Sequence, residues 1–244
     1  MATTARTRVV LLHGVGLDHT MWDRVRDLLP PTYDVVTPDL LGHGSRDAAP
    51  EGVTLRDLAD DVARGLEPDT HLVGFSLGAL VAQQLARSSP HLVASLTSVS
   101  SVCRRTETER AAVEGRLITA GSDFAGSVRA AVDRWFAGTD VDAVTVKEIE
   151  ATLAANDVTS YVRCYRVFAR ADAEIGPELS RIEVPSLAVT GELDPGSTPE
   201  MTRRLAAAIP GCRAVVVPGA RHMLPVQAPA SLTDPLVTFI GGLS

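Results

Sequence analysis

Short apolar runs alternate with amphipathic stretches over most of the chain. The apolar runs are RVVLLHG, YDVVTPD, HLVGFS, VASLTSVSS, PSLAVTGELD and RAVVVPG. Between and after them, apolar residues recur at helical spacing near 20–29, near 54–66, over 77–88, after Pro199 and near 227–241. Strand–helix alternation is typical of a parallel sheet, and continuously apolar strands indicate that helices cover both sheet faces. The pattern therefore predicts an α/β fold.

Residues 104–180 have a different pattern, with helical spacing and no convincing strand. Thr106 and Glu109 have the spacing of a capping box at a helix N-terminus. Further helical stretches are predicted near 122–137, 145–155 and 158–171. We therefore predict one α/β core, formed by residues 1–103 and 181–244, into which a helical block of residues 104–180 is inserted.

The composition is that of a globular protein, since 45% of the 244 residues are hydrophobic, 22% are charged and the net charge is −7. The arginines are scattered among acidic residues, so we expect no nucleic-acid partner. The run VVLL is too short for a secretory signal and no apolar run approaches the roughly 20 residues of a membrane span, so we expect no membrane association and a cytoplasmic location. Metal-ligand spacing is lacking for the cysteines, so neither a metal site nor a disulfide framework is predicted from Cys103, Cys164 and Cys212.

The segment GFSLG, residues 74–78, separates a predicted strand from an Ala- and Leu-rich helix. The first glycine allows the strand to end in a sharp turn, and the second leaves room for the helix to pack close behind it. A serine on such a turn projects from the sheet edge toward the positive end of the helix. Ser76 is therefore the predicted nucleophile, and the alternative is a serine that only caps the helix.

A serine hydroxyl is a weak nucleophile, so a base has to take its proton and a carboxylate has to orient that base. His222 follows the last predicted strand, at the edge where open α/β sheets bind ligands. Asp194, at the end of the preceding strand, is the predicted acid, and Glu192 is the alternative. The order Ser76, Asp194, His222 is the order expected of this kind of triad.

The oxyanion that forms on the attacked carbonyl needs two backbone N–H donors. One is predicted to be Leu77, directly after the nucleophile. The other is expected from the loop after the first strand, where HGVG places Val15 between two glycines. Val15 is the predicted second donor, Gly16 is the competitor, and a plain strand–helix turn is the alternative interpretation of HGVG.

With HGVG, PDLLGHGSR, GFSLG, TGELDP and GARHMLP in this order, the chain resembles the α/β-hydrolase superfamily outside the insertion. The resemblance implies that the helical insertion is a cap over the nucleophile. Members usually begin with two additional antiparallel strands, but only about six residues precede Thr7. The resemblance therefore implies a mostly parallel sheet of about six strands flanked by helices.

Within the superfamily, the chain is similar to the 3-oxoadipate enol-lactonases. This similarity is carried by DRWF at 133–136, SYVRCYRVFARAD at 160–172 and the segment AAIPGCRAVVVPGARH. It implies that the bond cleaved belongs to an enol-lactone or a related ester.

Apolar and aromatic residues of the insertion recur at helical spacing in two groups: Phe124, Val128, Val132, Trp135 and Phe136, then Tyr161, Tyr165 and Phe168. Such faces either hold the insertion against the core or line a substrate pocket. Under the second interpretation, Trp135 and Tyr161 are the predicted substrate contacts. An anionic lactone would also need an arginine in the pocket, for which Arg134 and Arg163 are candidates.

These residues predict a serine hydrolase that cleaves a small-molecule ester or lactone and needs no cofactor. A serine in the turn between the strand and the helix, where an aspartate would be the nucleophile of a dehalogenase or an epoxide hydrolase, argues against these two classes of enzyme. One alternative is a hydrolase of carbon–carbon bonds that acts on a dienoate-type diketone. The other is a non-enzymatic receptor that binds a small lactone on the same scaffold.

Overall fold

The computed structural model describes residues 6–243. Within this range the sheet has six strands: β1 (Thr7–Leu12), β2 (Tyr33–Val36), β3 (Thr70–Phe75), β4 (Val93–Val99), β5 (Ser186–Gly191) and β6 (Arg213–Val217). Every neighbouring pair is parallel, and the strand order is β2-β1-β3-β4-β5-β6. The predicted α/β fold with a parallel sheet of about six strands is confirmed.

The α-helices of the same range are α1 (Asp23–Arg26), α2 (Leu55–Ala63), α3 (Leu77–Ser88), α4 (Glu107–Ser122), α5 (Phe124–Phe136), α6 (Ala143–Ala154), α7 (Val158–Ile175), α8 (Pro199–Ala208), α9 (Leu224–Gln227) and α10 (Pro229–Gly241). Short 3-10 turns lie at His19–Trp22, Pro90–Leu92 and Gly176–Arg181. None of these helices combines the length and the apolar character that crossing a membrane requires.

The sheet is the centre of the core because its strands are apolar on both faces. Leu11, Leu72, Leu96 and Val189, one from each of four adjacent strands, are fully buried. Helix α3 is also buried along most of its length, which places it between the sheet and the helical insertion. Burying such side chains contributes roughly 1.5–3 kcal/mol each, which makes the central strands a rigid support for the loops at their ends.

The helix predicted near 20–29 is shorter than its pattern suggests. A 3-10 turn runs into α1, which ends at Arg26. The amide of Asp27 still bonds four residues back, to Asp23, but the two amides after it bond three residues back: Leu28 to Val25 and Leu29 to Arg26. Pro30 explains the ending, since a residue before proline is pushed out of the helical region.

Helices α4 to α7 form the insertion, residues 104–180, between β4 and β5. The capping box predicted from Thr106 and Glu109 is present at the start of α4. On the core side, the amide of Asn156 donates to the carbonyl of Gly16 at 2.8 Å, and the hydroxyl of Ser160 donates to the carbonyl of Gly42 at 3.1 Å. The insertion therefore lies over the loops that follow β1 and β2, at the carboxyl edge of the sheet.

Candidate active site

Ser76 occupies the turn between β3 and α3 in a strained backbone conformation, with φ = 53° and ψ = −110°. A left-handed φ at a residue other than glycine costs on the order of 1–3 kcal/mol and persists only where the surroundings enforce it. Here the Ser76 amide donates to the carbonyl of Val99 on β4 at 2.9 Å, while its own carbonyl accepts the amide of Ala79. The predicted strained turn is present, and its serine is almost fully buried.

Close backbone approaches explain both glycines of the turn. A Cβ at Gly74 would collide with the backbone of Gly78. A Cβ at Gly78 would collide with the carbonyl oxygens of Leu12 and His13 at the end of β1. Helix α3 can therefore begin directly behind the strand ends only because neither position carries a side chain, as the GFSLG spacing predicts.

His222 and Asp194 form a buried hydrogen-bonded pair. His222 lies in the loop after β6, and its Nδ1 is 2.7 Å from Oδ2 of Asp194, in the loop after β5. The other carboxylate oxygen of Asp194 accepts the amides of Gly196 and Ser197, both at 2.8 Å. These bonds orient the carboxylate, and the carboxylate in turn orients the imidazole ring through Nδ1.

Glu192, the alternative acid, has a different position. Its side chain is exposed, and Oε2 accepts the amide of Gly219 at 2.9 Å. The structure thus brings Asp194, and not Glu192, to His222. Sequence spacing alone left this choice open because both carboxylates lie in the same short loop.

Ser76, Asp194 and His222 border one narrow cavity between the sheet edge and the insertion, which we call the Ser76 cavity. It has about 40 Å³ of space for water-sized molecules. Among the hydrogen bonds of residues 6–243, none joins the Ser76 hydroxyl to His222 Nε2. Catalytic hydrogen bonds commonly tighten only when substrate binds.

The predicted oxyanion donors lie on two sides of Ser76. Leu77 is the first residue of α3, and an amide at that position has no acceptor within its own helix. Val15 borders the Ser76 cavity, whereas Gly16 borders a different, more polar space between the core and α6–α7. A Cβ at Gly14 would lie 3.3 Å from the Ser76 Cβ, which shows how closely this loop approaches the serine. Of the two candidate donors, Val15 is thus the one that borders the cavity of the serine.

A buried histidine fixes the loop that carries Val15. His13 Nε2 accepts the amide of Leu40 at 2.9 Å, and Nδ1 lies 2.8 Å from the carbonyl of Gly14. Burial lowers the pKa of His13 to about 4. Burial and the charge of the neighbouring His13 lower the pKa of His43 to about 3. Both side chains are therefore neutral near pH 7, which lets His13 connect the two loops as a donor and an acceptor.

The insertion supplies the opposite wall of the Ser76 cavity. Trp135 on α5 stacks on the His222 imidazole, with ring centroids 5.6 Å apart at 28°. Tyr161 on α7 borders the same cavity, and its ring centroid lies 5.6 Å from that of Tyr165. Both predicted contact residues thus border the cavity of the serine, and Trp135 also packs the insertion against the core at His222.

Of the two arginine candidates, only Arg134 borders the Ser76 cavity. Arg163 instead donates to the carbonyl of Ala49 at 2.8 Å and ties α7 to the core. Sequence reasoning missed Arg116 on α4, which borders the cavity as well. Its signal was available, since Arg116 lies one residue before Leu117 and three after Val113, at the edge of the buried stripe of that helix.

A parallel sheet with a glycine-flanked serine on a tight strand–helix turn is the architecture of α/β hydrolases. The chain belongs to the alpha/beta hydrolase family, whose model matches residues 9–234. The resemblance inferred from the sequence motifs is confirmed.

Curated relatives of similar length are hydrolases. The chain is 27% identical to the (E)-2-((N-methylformamido)methylene)succinate hydrolase of Acinetobacter baylyi, over 95% of this chain and 89% of the relative. It is 30% identical to the pimeloyl-[acyl-carrier protein] methyl ester esterase of Neisseria meningitidis serogroup C, over 88% and 86% of the two chains. The enol-lactonase of Burkholderia xenovorans LB400 has the same fold, with a TM-score of 0.88, 24% identity and coverage of 99% and 94%.

Proposed function

We propose that this protein is a serine hydrolase that cleaves a small-molecule ester or lactone through an acyl-enzyme. One observation carries the proposal: Ser76, on its strained turn, borders the same cavity as His222, whose Nδ1 is bonded to Asp194. The names of the relatives support a hydrolase, and one of them is an esterase.

In the first half of the reaction, Ser76 Oγ attacks the carbonyl carbon while its proton moves to His222 Nε2. Asp194 accepts a hydrogen bond from the Nδ1–H of His222, which keeps Nε2 free before the attack and stabilises the imidazolium after it. The bond from the carbonyl carbon to the leaving oxygen then breaks, and His222 returns the proton to that oxygen. An alcohol departs from an ester, whereas in a lactone it stays attached to the acyl chain.

In the second half, His222 takes a proton from water, and the resulting hydroxide attacks the acyl carbon. The acid product leaves as the proton returns to Ser76 Oγ. During both attacks the carbonyl oxygen carries negative charge, and the amides of Leu77 and Val15 are assigned to bind it. Removing one such donor typically lowers kcat by about 10²–10³-fold.

The insertion, residues 104–180, is assigned the role of a cap. Its aromatic wall excludes water from the serine, and exclusion of water strengthens the electrostatic interactions inside the site. Trp135 and Tyr161 are assigned to contact the substrate because each borders the Ser76 cavity.

The test is a kinetic screen of wild type, Ser76→Ala and Ser122→Ala on short p-nitrophenyl esters and small lactones. Ser122 is an exposed serine whose hydroxyl bonds only carbonyls of its own helix, so its variant is the matched control. We expect Ser76→Ala to lose at least about 10⁴-fold in kcat/KM and Ser122→Ala to match wild type.

A trapped acyl group on wild type, detected by intact mass, should be absent from Ser76→Ala. Activity that survives in Ser76→Ala would overturn the proposed nucleophile. A wild type inactive on every ester and lactone would overturn the reaction class, and dienoate-type diketones would then test carbon–carbon bond cleavage.

A further inference from the structure

Two arginines of the insertion meet beside the Ser76 cavity. Arg116 on α4 and Arg134 on α5 border this cavity, and both also border an adjoining space of about 110 Å³ between the same two helices. Tyr161 and Tyr165 are further wall residues that the two spaces share. A group bound between the guanidinium groups would therefore lie next to the nucleophile's cavity and not on a separate surface.

Neither arginine has a carboxylate partner within the described residues. Arg116 donates from Nε to the hydroxyl of Tyr165 at 3.3 Å, and Arg134 donates to the carbonyl of Ala130, in its own helix, at 3.1 Å. Two glutamates of α4 form ion pairs with other arginines: Glu109 with Arg204 and Glu114 with Arg170. Most donors of the two guanidinium groups thus remain available to a ligand.

The two positive charges also act on each other. Burial, together with the neighbouring charge of Arg116, lowers the pKa of Arg134. Like charges at close range are unfavourable, and a bound anion between them removes that repulsion. Asp194 is the acid whose charge acts on Arg134, and its oxygens are already bonded to His222 and to two backbone amides. No carboxylate of residues 6–243 is therefore bonded to either guanidinium group, which leaves the place between them to an anion that binds there.

We propose that Arg116 and Arg134 bind a carboxylate of the substrate, so that the site takes a small ester or lactone carrying a free carboxylate besides the bond that is cleaved. This inference rests on the proposed hydrolase function. A planar guanidinium matches a carboxylate with two parallel hydrogen bonds, and the Tyr165 hydroxyl positions the Arg116 group. The aromatic side chains around the pair exclude water, which strengthens the interaction.

The experiment compares monomethyl glutarate with methyl pentanoate, two methyl esters of similar length of which only the first carries a carboxylate. The proteins are wild type, Arg116→Gln, Arg134→Gln and Arg166→Gln, where Arg166 is an exposed arginine of α7 and serves as the matched control. Thermal unfolding of each variant verifies that it folds.

We expect wild type to prefer the charged ester by at least about 10-fold in kcat/KM. Arg116→Gln and Arg134→Gln should each lower kcat/KM for monomethyl glutarate by about 10- to 100-fold, mainly through KM, and should lower kcat/KM for methyl pentanoate by a factor at least about 5-fold smaller. Arg166→Gln should match wild type on both esters. Equal preference in wild type, or equal losses on both esters in the arginine variants, would overturn the inference.

A binding measurement separates this inference from the reaction class. Glutarate is titrated calorimetrically into Ser76→Ala and into Ser76→Ala combined with Arg116→Gln. Binding to the first protein and at least about 10-fold weaker binding to the second supports the carboxylate site even if no ester is hydrolysed. Equal affinity of the two proteins for glutarate, or no binding to either, counts against it.

Discussion

The two walls of the Ser76 cavity are held in place by different interactions. On the sheet edge, Ser76, Asp194 and His222 lie in the loops after β3, β5 and β6, and hydrogen bonds of 2.7–2.9 Å fix the backbone of the serine and the side chains of the other two. On the insertion, the ring of Trp135 packs on the imidazole of His222, and the ring of Tyr161 packs on the rings of Phe124 and Tyr165. Hydrogen bonds specify one geometry, whereas packed rings tolerate exchange of one apolar shape for another.

This difference suggests that the two walls of the Ser76 cavity have different functions. The sheet edge sets the chemistry, so a change there should affect every substrate alike. The insertion sets the choice of substrate, so a change there should affect some substrates and spare others. Each prediction below tests one side of this contrast, beginning with the largest expected effect.

Asp194→Asn should lower kcat by about 10²–10⁴-fold on every substrate. The amide can still accept the two backbone N–H groups, but it favours the wrong tautomer of His222 and cannot stabilise the imidazolium. Glu192→Gln, in the same loop, is the control and should stay within about 2-fold of wild type. Steady-state kinetics decide the matter, and a large loss in Glu192→Gln would assign the acid to the other carboxylate.

Gly78→Ala should destabilise the protein by about 3 kcal/mol or more, because its new methyl group meets the carbonyl of His13 at 2.5 Å and the backbone at the end of β1 cannot move aside. Gly115→Ala, in the middle of α4 with no atom within 4 Å of the new methyl group, should instead be stabilising by up to about 1 kcal/mol. Chemical denaturation measures both. Similar effects of the two substitutions would show that the close packing behind the serine is less strict than the distances indicate.

Acid should destabilise the core side of the site. The pKa values of His13 and His43 are about 4 and about 3, below the ordinary 6.5, so the unfolded chain binds more protons than the native one below pH 6.5. The contribution of these two histidines to the free energy of unfolding is complete above pH 6.5 and should fall by about 3 kcal/mol or more on going to pH 4. His19, whose pKa is raised by its hydrogen bond to Asp39, acts in the opposite sense: its contribution is present below pH 6.5 and is lost at higher pH.

Unfolding free energies at a series of pH values test this, with His43→Gln expected to reduce the slope between pH 6.5 and pH 4. Replacing the exposed His91 with Gln should leave that slope unchanged. A flat profile in wild type would contradict the buried, neutral state of both histidines.

Trp135→Phe should produce the smallest effect, a rise in KM of up to about 10-fold that differs from one substrate to another, with kcat changed by less. A smaller ring loses contact area at the substrate wall while the bond between His222 and Asp194 is kept. Val144→Ala, at an exposed position of α6, is the control. A uniform loss of kcat on all substrates would mean that Trp135 acts mainly by holding His222 in place.

Local patterns in the sequence were sufficient for the fold and for the location of the site at one edge of the sheet. Continuous apolar runs indicated buried parallel strands, and strand ends in a parallel sheet meet at one edge, so Ser76, Asp194 and His222 were predicted to lie near one another. The role of the two glycines of GFSLG could also be predicted from the sequence, because only residues without a Cβ permit such close backbone contact.

The tertiary structure alone decided what depends on side-chain direction and on packing between distant helices. It brought Asp194 rather than Glu192 to His222, Val15 rather than Gly16 to the Ser76 cavity, and Arg134 rather than Arg163. It also placed Arg116, which lies eighteen residues earlier on another helix, at the wall of the same space as Arg134. Periodicity identifies which face of a helix is buried, but the neighbour that this face meets is set by how the four helices of the insertion pack together.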